Sequence, residues 1–85
     1  MNRSVREIQD WLVSRISNLT GVPAVEIDVA EPVRRYGLDS VAVVTMIADL
    51  EAWLGIRLHE NPLDEHGTIA ALAQYLAEKA GRATG

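Results

Sequence analysis

Ser40 follows Asp39 at the head of an apolar, helix-spaced run, and this pair is where the sequence offers chemistry. An aspartate in that place is suited to cap a helix, its carboxylate accepting from a first-turn backbone N–H. Leu38 and Val43 then stand at the two positions that close a hydrophobic staple. Ser40 falls at the first helical position, where a side chain points outward beside backbone N–H groups that have no intrahelical acceptor. Its hydroxyl is expected in solvent, at the positive end of the helix dipole. A phosphodiester formed there is stabilised by the dipole and the free donors, with Asp39 opposing it in part. Taken alone, the dipeptide reads more simply as a plain helix start.

The other chemistry-bearing residues make weaker patterns. His59 and His66 stand near Glu60, Asp64 and Glu65, but nothing elsewhere in the chain matches them as a ligand set, so a solvated polar connection is expected. A serine hydrolase built on Ser40 requires an oriented base and a G-x-S-x-G elbow on a parallel sheet. The sequence has neither the elbow nor a strand pattern. Cysteine is absent, which removes disulfides, thiolate metal sites and a sulfur nucleophile. Any thiol chemistry therefore needs a sulfur from outside the chain. Trp11 and Trp53 lie near apolar stripes and are expected to pack rather than bind.

The elements that must position Ser40 fit within 85 residues, enough for one domain, with a core over about 4–80 and a tail or linker over 81–85. A chain this short buries only roughly 60–65% of its unfolded surface, so its stability is modest. Net charge is −4, concentrated in residues 21–67, which sum to −6. An acidic centre argues against a nucleic-acid footprint and suits either a basic protein partner or plain solubility. No apolar run approaches the ~20 residues of a membrane span, and no signal-peptide pattern opens the chain. A cytoplasmic, monomeric domain is the resulting expectation.

Three helices are punctuated clearly. The first opens on Ser4-Val5-Arg6-Glu7, a capping box, places Val5, Ile8, Leu12, Ile16 and Leu19 on one face, and closes at Gly21. The second runs from about Ser40 to Leu54 and stops at Gly55. The third starts at Thr68, uses Ile69, Leu72, Ala73 and Leu76, and is expected to stop near Gly81. Asn61-Pro62-Leu63-Asp64 reads as a short helix closed by Gly67. Residues 22–38 form a long connection with one turn around Ala24–Ile27, pinned by Val25, Ile27, Val29 and Val33. The fold class is all-α, a small four-helix bundle of three long helices and one short one. The second helix carries two apolar stripes: Val43, Ile47, Leu50 and Leu54 make one, and Val41, Val44 and Ala48 the other. It is either central in the bundle or docks a partner with the second stripe. Exposure of Val41 and Val44 would favour docking.

The run Tyr36-Gly37-Leu38-Asp39-Ser40-Val41, preceded by Glu26-Ile27-Asp28 and Pro32, resembles the attachment motif of acyl carrier proteins. Leu50-Glu51, Gly55, Leu58 and Thr68-Ile69-x-x-Leu72-Ala73-x-x-Leu76 are similar to the same family, so the resemblance spans about residues 5–79. It implies a non-catalytic four-helix carrier whose serine, here Ser40, holds 4′-phosphopantetheine as a phosphodiester. The thiol of that arm would carry an acyl group as a thioester between partner enzymes. By the same resemblance, Asp39 caps the helix and presents the serine to a phosphopantetheinyl transferase. Val41, Val44, Ala48, Asp49 and Glu51 form the docking side. The partners are an acyl-AMP ligase or acyltransferase that loads the arm and a ketosynthase that receives the cargo. Ile8-Gln9-x-Trp11-Leu12-Val13, Tyr36 to Val44 and Asp49-Leu50-Glu51-x-Trp53-Leu54-Gly55 look more like carriers of modular polyketide synthases, in particular those beside fatty-acyl-AMP ligases.

Three departures qualify the likeness. Ala42 and Thr45 stand where the carrier of dissociated fatty-acid synthesis usually has acids, which shifts weight from charged to apolar docking. Asp64-Glu65-His66-Gly67 replaces a segment commonly aromatic with a proline, and Val33 replaces the usual bulky aromatic after Pro32. A peptidyl carrier of nonribosomal peptide synthesis shares the same architecture. An unmodified helical interaction module is the alternative of another class.

Overall fold

A computed structural model of the chain describes residues 3–58 and 61–83. Three α-helices carry the architecture: α1 Val5–Thr20, α2 Ser40–Leu54 and α3 Ile69–Ala83. Single 3₁₀ turns lie at Ala24–Glu26, Val33–Tyr36 and Pro62–Asp64. Among the described residues there is no strand, only an isolated bridge pairing Pro32 with Thr68. The small all-α bundle expected from periodicity is the fold observed, its fourth helix reduced to the turn at Pro62–Asp64.

The first helix starts where the capping box places it. Ser4 Oγ accepts from Glu7 N at 3.1 Å, and Glu7 Oε1 accepts from Ser4 N at 3.1 Å. The Ser4 backbone N–H holds the Glu7 carboxyl below the ordinary glutamate range. This cap is intact above that range and is lost as pH falls through the lowered value. Gly21 ends α1 with φ 80, a left-handed conformation, and its N–H returns to Ser17 O.

The core joins one face of each helix. Ile8, Leu12 and Ile16 from α1, Met46 and Leu50 from α2, and Ile69, Leu72 and Leu76 from α3 are fully buried. Each such side chain contributes about 1.5–3 kcal/mol of gross burial energy. At the other flank of α2, Trp11 and Trp53 stack with ring centroids 5.1 Å apart and planes 12° from parallel. The Arg3 guanidinium lies over Trp53 and that of Arg15 over Trp11, each 4.7 Å from the ring centroid. Both tryptophans are half-buried, which fits a packing role across α1 and α2.

Two local expectations are corrected. The third helix runs through Gly81 and continues to Ala83, two residues past the expected stop. Glycine permits a left-handed cap without requiring one, and positive φ is confined to Gly21, Gly37 and Gly55 among the described glycines. Val25 does not pin the first loop: it is 94% exposed, whereas Ile27 and Val33 are buried. The alternation that would bury residues 25 and 27 together belongs to an extended chain. The 3₁₀ turn over Ala24–Glu26 rotates them apart. The turn at Val33–Tyr36, for which Val33 supplies the buried anchor, is not signalled by the spacing of its residues.

Candidate functional site

Backbone geometry delivers Ser40 to the surface. The 3₁₀ turn at Val33–Tyr36 ends at Gly37, whose φ of 82 swings the chain into Leu38 and Asp39. Asp39 is extended (φ −88, ψ 176) and its Oδ1 accepts from Ala42 N at 2.8 Å, so it is the N-cap of α2. Ser40 is the first helical residue, and it is exposed. Among the described residues its hydroxyl has no hydrogen-bond partner. Leu38 and Val43 are half-buried and line the same cleft below it.

The long loop before the serine is tied down at three points. Tyr36 Oη accepts from Asp28 N at 2.7 Å and donates to Asp28 O at 3.3 Å, folding eight residues back on themselves. Val33 N donates to Gly67 O at 2.8 Å. Ala70 N, in the first turn of α3, donates to Val29 O at 3.0 Å. The segment preceding Ser40 is thus held by the connection that precedes α3. These bonds explain how a 17-residue stretch with little helix stays ordered.

An open cleft of about 580 Å³ begins at Ser40. Arg34, Leu38, Asp39, Val43, Leu63 and Asp64 are among the residues that line it. It continues into a shallower groove of about 300 Å³ along α2, lined by Val43, Val44, Ile47, Ala48, Glu51 and Leu58. Above the groove, Val41 is 75% exposed and Val44 68%, and Ala48 is exposed with them. The second apolar stripe of α2 therefore faces solvent while the first meets the core. The exposed stripe and the exposed serine begin on the same helical turn.

Of the two acids named with that stripe, Glu51 lines the groove with Val44 and Ala48, whereas Asp49 does not. The Asp49 carboxylate pairs with Arg15 of α1, on the flank carrying the tryptophan stack. Glu51 Oε2 accepts from Leu58 N at 2.9 Å and fastens the chain after α2. His66 stacks on Tyr75 with centroids 4.5 Å apart, and His59 and Glu60 lie outside the described residues. No cluster of three or more metal-ligating side chains occurs among the described residues. Sequence reasoning missed Arg34, Leu63 and the Tyr36 clamp. Nothing in the spacing of residues 34 and 63 signals that they share a cleft.

Asp39→Ala should lower stability by about 1 kcal/mol, the usual worth of a side-chain N-cap. Urea unfolding followed by circular dichroism measures it; an unchanged midpoint would deny Asp39 a capping role.

An exposed serine hydroxyl at a helix start, unpartnered and opening onto a cleft, fits a covalently attached prosthetic arm. No helix among the described residues is long and apolar enough to cross a membrane. Comparison with known proteins agrees with the geometry. A family model described as the phosphopantetheine attachment site matches residues 10–76. The acyl carrier protein TtuC of Teredinibacter turnerae is 33% identical over 76 residues, covering 89% of this chain and 87% of that protein. A phenolphthiocerol/phthiocerol polyketide synthase of Mycobacterium tuberculosis is 32% identical over 73 residues, 86% of this chain but 4% of that much longer protein. The crystal structure of a free-standing peptidyl carrier protein from Acinetobacter baumannii superposes with a TM-score of 0.83 at 27% identity, covering 91% of this chain and 96% of that one. The chain therefore belongs to the phosphopantetheine-attachment family of carrier domains, non-catalytic proteins that bear a 4′-phosphopantetheine prosthetic group.

Proposed function

We propose that Ser40 is the attachment residue and that the protein carries acyl intermediates in polyketide or lipid-polyketide assembly. The observation that carries this reading is the exposed, unpartnered Ser40 hydroxyl on the first turn of α2, at the rim of the cleft. Ser40 Oγ forms a phosphodiester with the phosphopantetheinyl half of coenzyme A. The pyrophosphate bond breaks, adenosine 3′,5′-bisphosphate leaves, and the serine proton passes to the transferase. The arm supplies the terminal thiol that a chain without cysteine lacks, and this thiol holds acyl groups as thioesters. Tethering raises the effective concentration of cargo at each partner without any catalysis by the carrier.

In this reading Asp39 rigidifies the turn that presents the serine. Partners meet the uncharged stripe of Val41, Val44 and Ala48. Asp49 and Glu51 contribute at its margins, in spite of their internal bonds to Arg15 and Leu58. The partners are a phosphopantetheinyl transferase, an acyl-AMP ligase or acyltransferase, and a ketosynthase, all meeting the carrier in the cytoplasm. The carrier and polyketide synthase relatives support this assignment. The peptidyl carrier likeness favours a second reading, in which an adenylation domain loads an amino acid instead.

The test incubates the protein with coenzyme A, Mg²⁺ and a broad-specificity transferase, then measures intact mass and maps the adduct. One arm on Ser40 is expected; an adduct on another residue, or none, rejects the proposal. Offering the holo-protein to acyl-AMP ligases and adenylation domains then separates acyl from aminoacyl use.

Val41→Asp should leave the fold intact, because the side chain is 75% exposed, yet reduce kcat/KM for transfer from a partner enzyme about tenfold. A folded variant with unchanged partner kinetics removes the apolar stripe from the docking surface.

A further inference from the structure

We propose that Arg34 holds the phosphodiester at the root of the prosthetic arm, an inference that rests on Ser40 being the attachment residue. Arg34 and Ser40 line the same cleft, although six residues separate them in sequence. Among the described residues that line it, Arg34 is the single cation, together with the carboxylates of Asp39 and Asp64. The adjacent Arg35 is committed to Glu31 at 2.9 Å. Arg34 is exposed and makes no ion pair among the described residues.

Its backbone is nonetheless fixed. Gly37 N donates to Arg34 O at 3.2 Å, and the preceding Val33 is buried and bonded to Gly67. The guanidinium is therefore an exposed head on a fixed base at the cleft wall.

Modification changes the charge of this cleft. A phosphodiester carries one negative charge at neutral pH, and attachment at Ser40 places it beside Asp39. Among the described lining residues that makes three anions to one cation. The amides of the first turn of α2 stabilise the new charge only in part, because Asp39 already occupies the Ala42 N–H. A guanidinium presents a planar fork of donors that matches two phosphate oxygens.

The acyl group is a poorer candidate for this role. It rides at the far end of a flexible arm, whereas the phosphorus is bonded directly to Ser40 Oγ. The cleft that Arg34 shares with Ser40 thus assigns it to the root of the arm.

The experiment follows ³¹P and arginine side-chain ¹⁵N resonances in apo- and holo-protein, for the parent chain, Arg34→Gln, Arg34→Lys and the control Arg35→Gln. Conversion to holo should move the Arg34 Nε–Hε signal and leave that of Arg35 in place. In holo Arg34→Gln the ³¹P resonance should shift, and its transverse relaxation rate should fall about twofold as the phosphate is released. Arg34→Lys should lie between, since an ammonium keeps the charge but not the fork. Arg35→Gln should match the parent. An identical ³¹P signal in the parent and Arg34→Gln overturns the role of Arg34 while leaving attachment intact. Failure of every variant to acquire a ³¹P-bearing group overturns the attachment reading and this inference with it.

Discussion

Ser40→Ala is expected to abolish loading by a phosphopantetheinyl transferase while leaving the helical circular dichroism spectrum unchanged. The oxygen is the sole feature removed. Asp39 remains to cap α2 through its bond to Ala42 N, so the helix start does not depend on the serine. Alanine is also the better helix former, and the position is exposed, so no packing is lost. Neighbouring hydroxyls do not substitute. Thr45 Oγ1 donates to Val41 O at 2.9 Å one turn along the helix, and Ser4 Oγ is committed to the capping box of α1. Intact mass before and after incubation reads the outcome directly. A mass gain in Ser40→Ala comparable with the parent would place the attachment elsewhere. A collapsed spectrum would give Ser40 a structural role that its exposure does not suggest.

Leu50→Ala is expected to destabilise the protein by about 2–5 kcal/mol, the range found when a buried leucine is truncated and the cavity only partly relaxes. Leu50 is fully buried, and with Met46 it is the part of α2 that reaches deepest into the contact with α1 and α3. Small domains hold about 5–15 kcal/mol in total, so this loss consumes much of the margin. Urea unfolding measures it as a lowered midpoint. Val44→Ala, on the exposed stripe of the same helix, is the internal comparison and should stay within about 0.5 kcal/mol of the parent. Equal losses at residues 44 and 50 would mean that α2 is buried on both sides, and the solvent-facing stripe would have to be abandoned.

These two variants separate the roles that one helix performs. The burial of Leu50 fixes the orientation of α2 against the core, and that orientation sends Val41 and Val44 outward on the turns that carry Ser40. In the docking reading proposed above, the apolar character of both stripes serves two surfaces, one internal and one external. That reading also accounts for the absence of acids at residues 42 and 45. A face left uncharged over that length can pack against an apolar partner without leaving buried charges unpaired.

Helix boundaries set by local interactions were legible from the residues alone. Ser4 and Glu7 bond to each other's backbone, Asp39 caps the residue three positions on, and Gly21 and Gly55 take left-handed conformations. Each of these contacts spans a few residues, so composition and spacing suffice to predict it. The exposed hydroxyl of Ser40 follows from the same local rule, because the first residue of a capped helix points away from the axis. Gly81 escaped that rule, because a glycine that continues a helix has the same letter as one that ends it.

Tertiary structure alone decided which apolar stripe of α2 was buried, since both have the composition of a core. It also diverted Asp49 to Arg15 and Glu51 to the Leu58 amide, contacts across 34 and 7 residues that no local periodicity encodes. The cleft belongs to the same category: Arg34 and Leu63 are separated by 29 positions yet line one cleft, where Val33 is bonded to Gly67. Local backbone chemistry determines where a helix starts and which atom its first residue offers. Only long-range packing determines what stands opposite that atom.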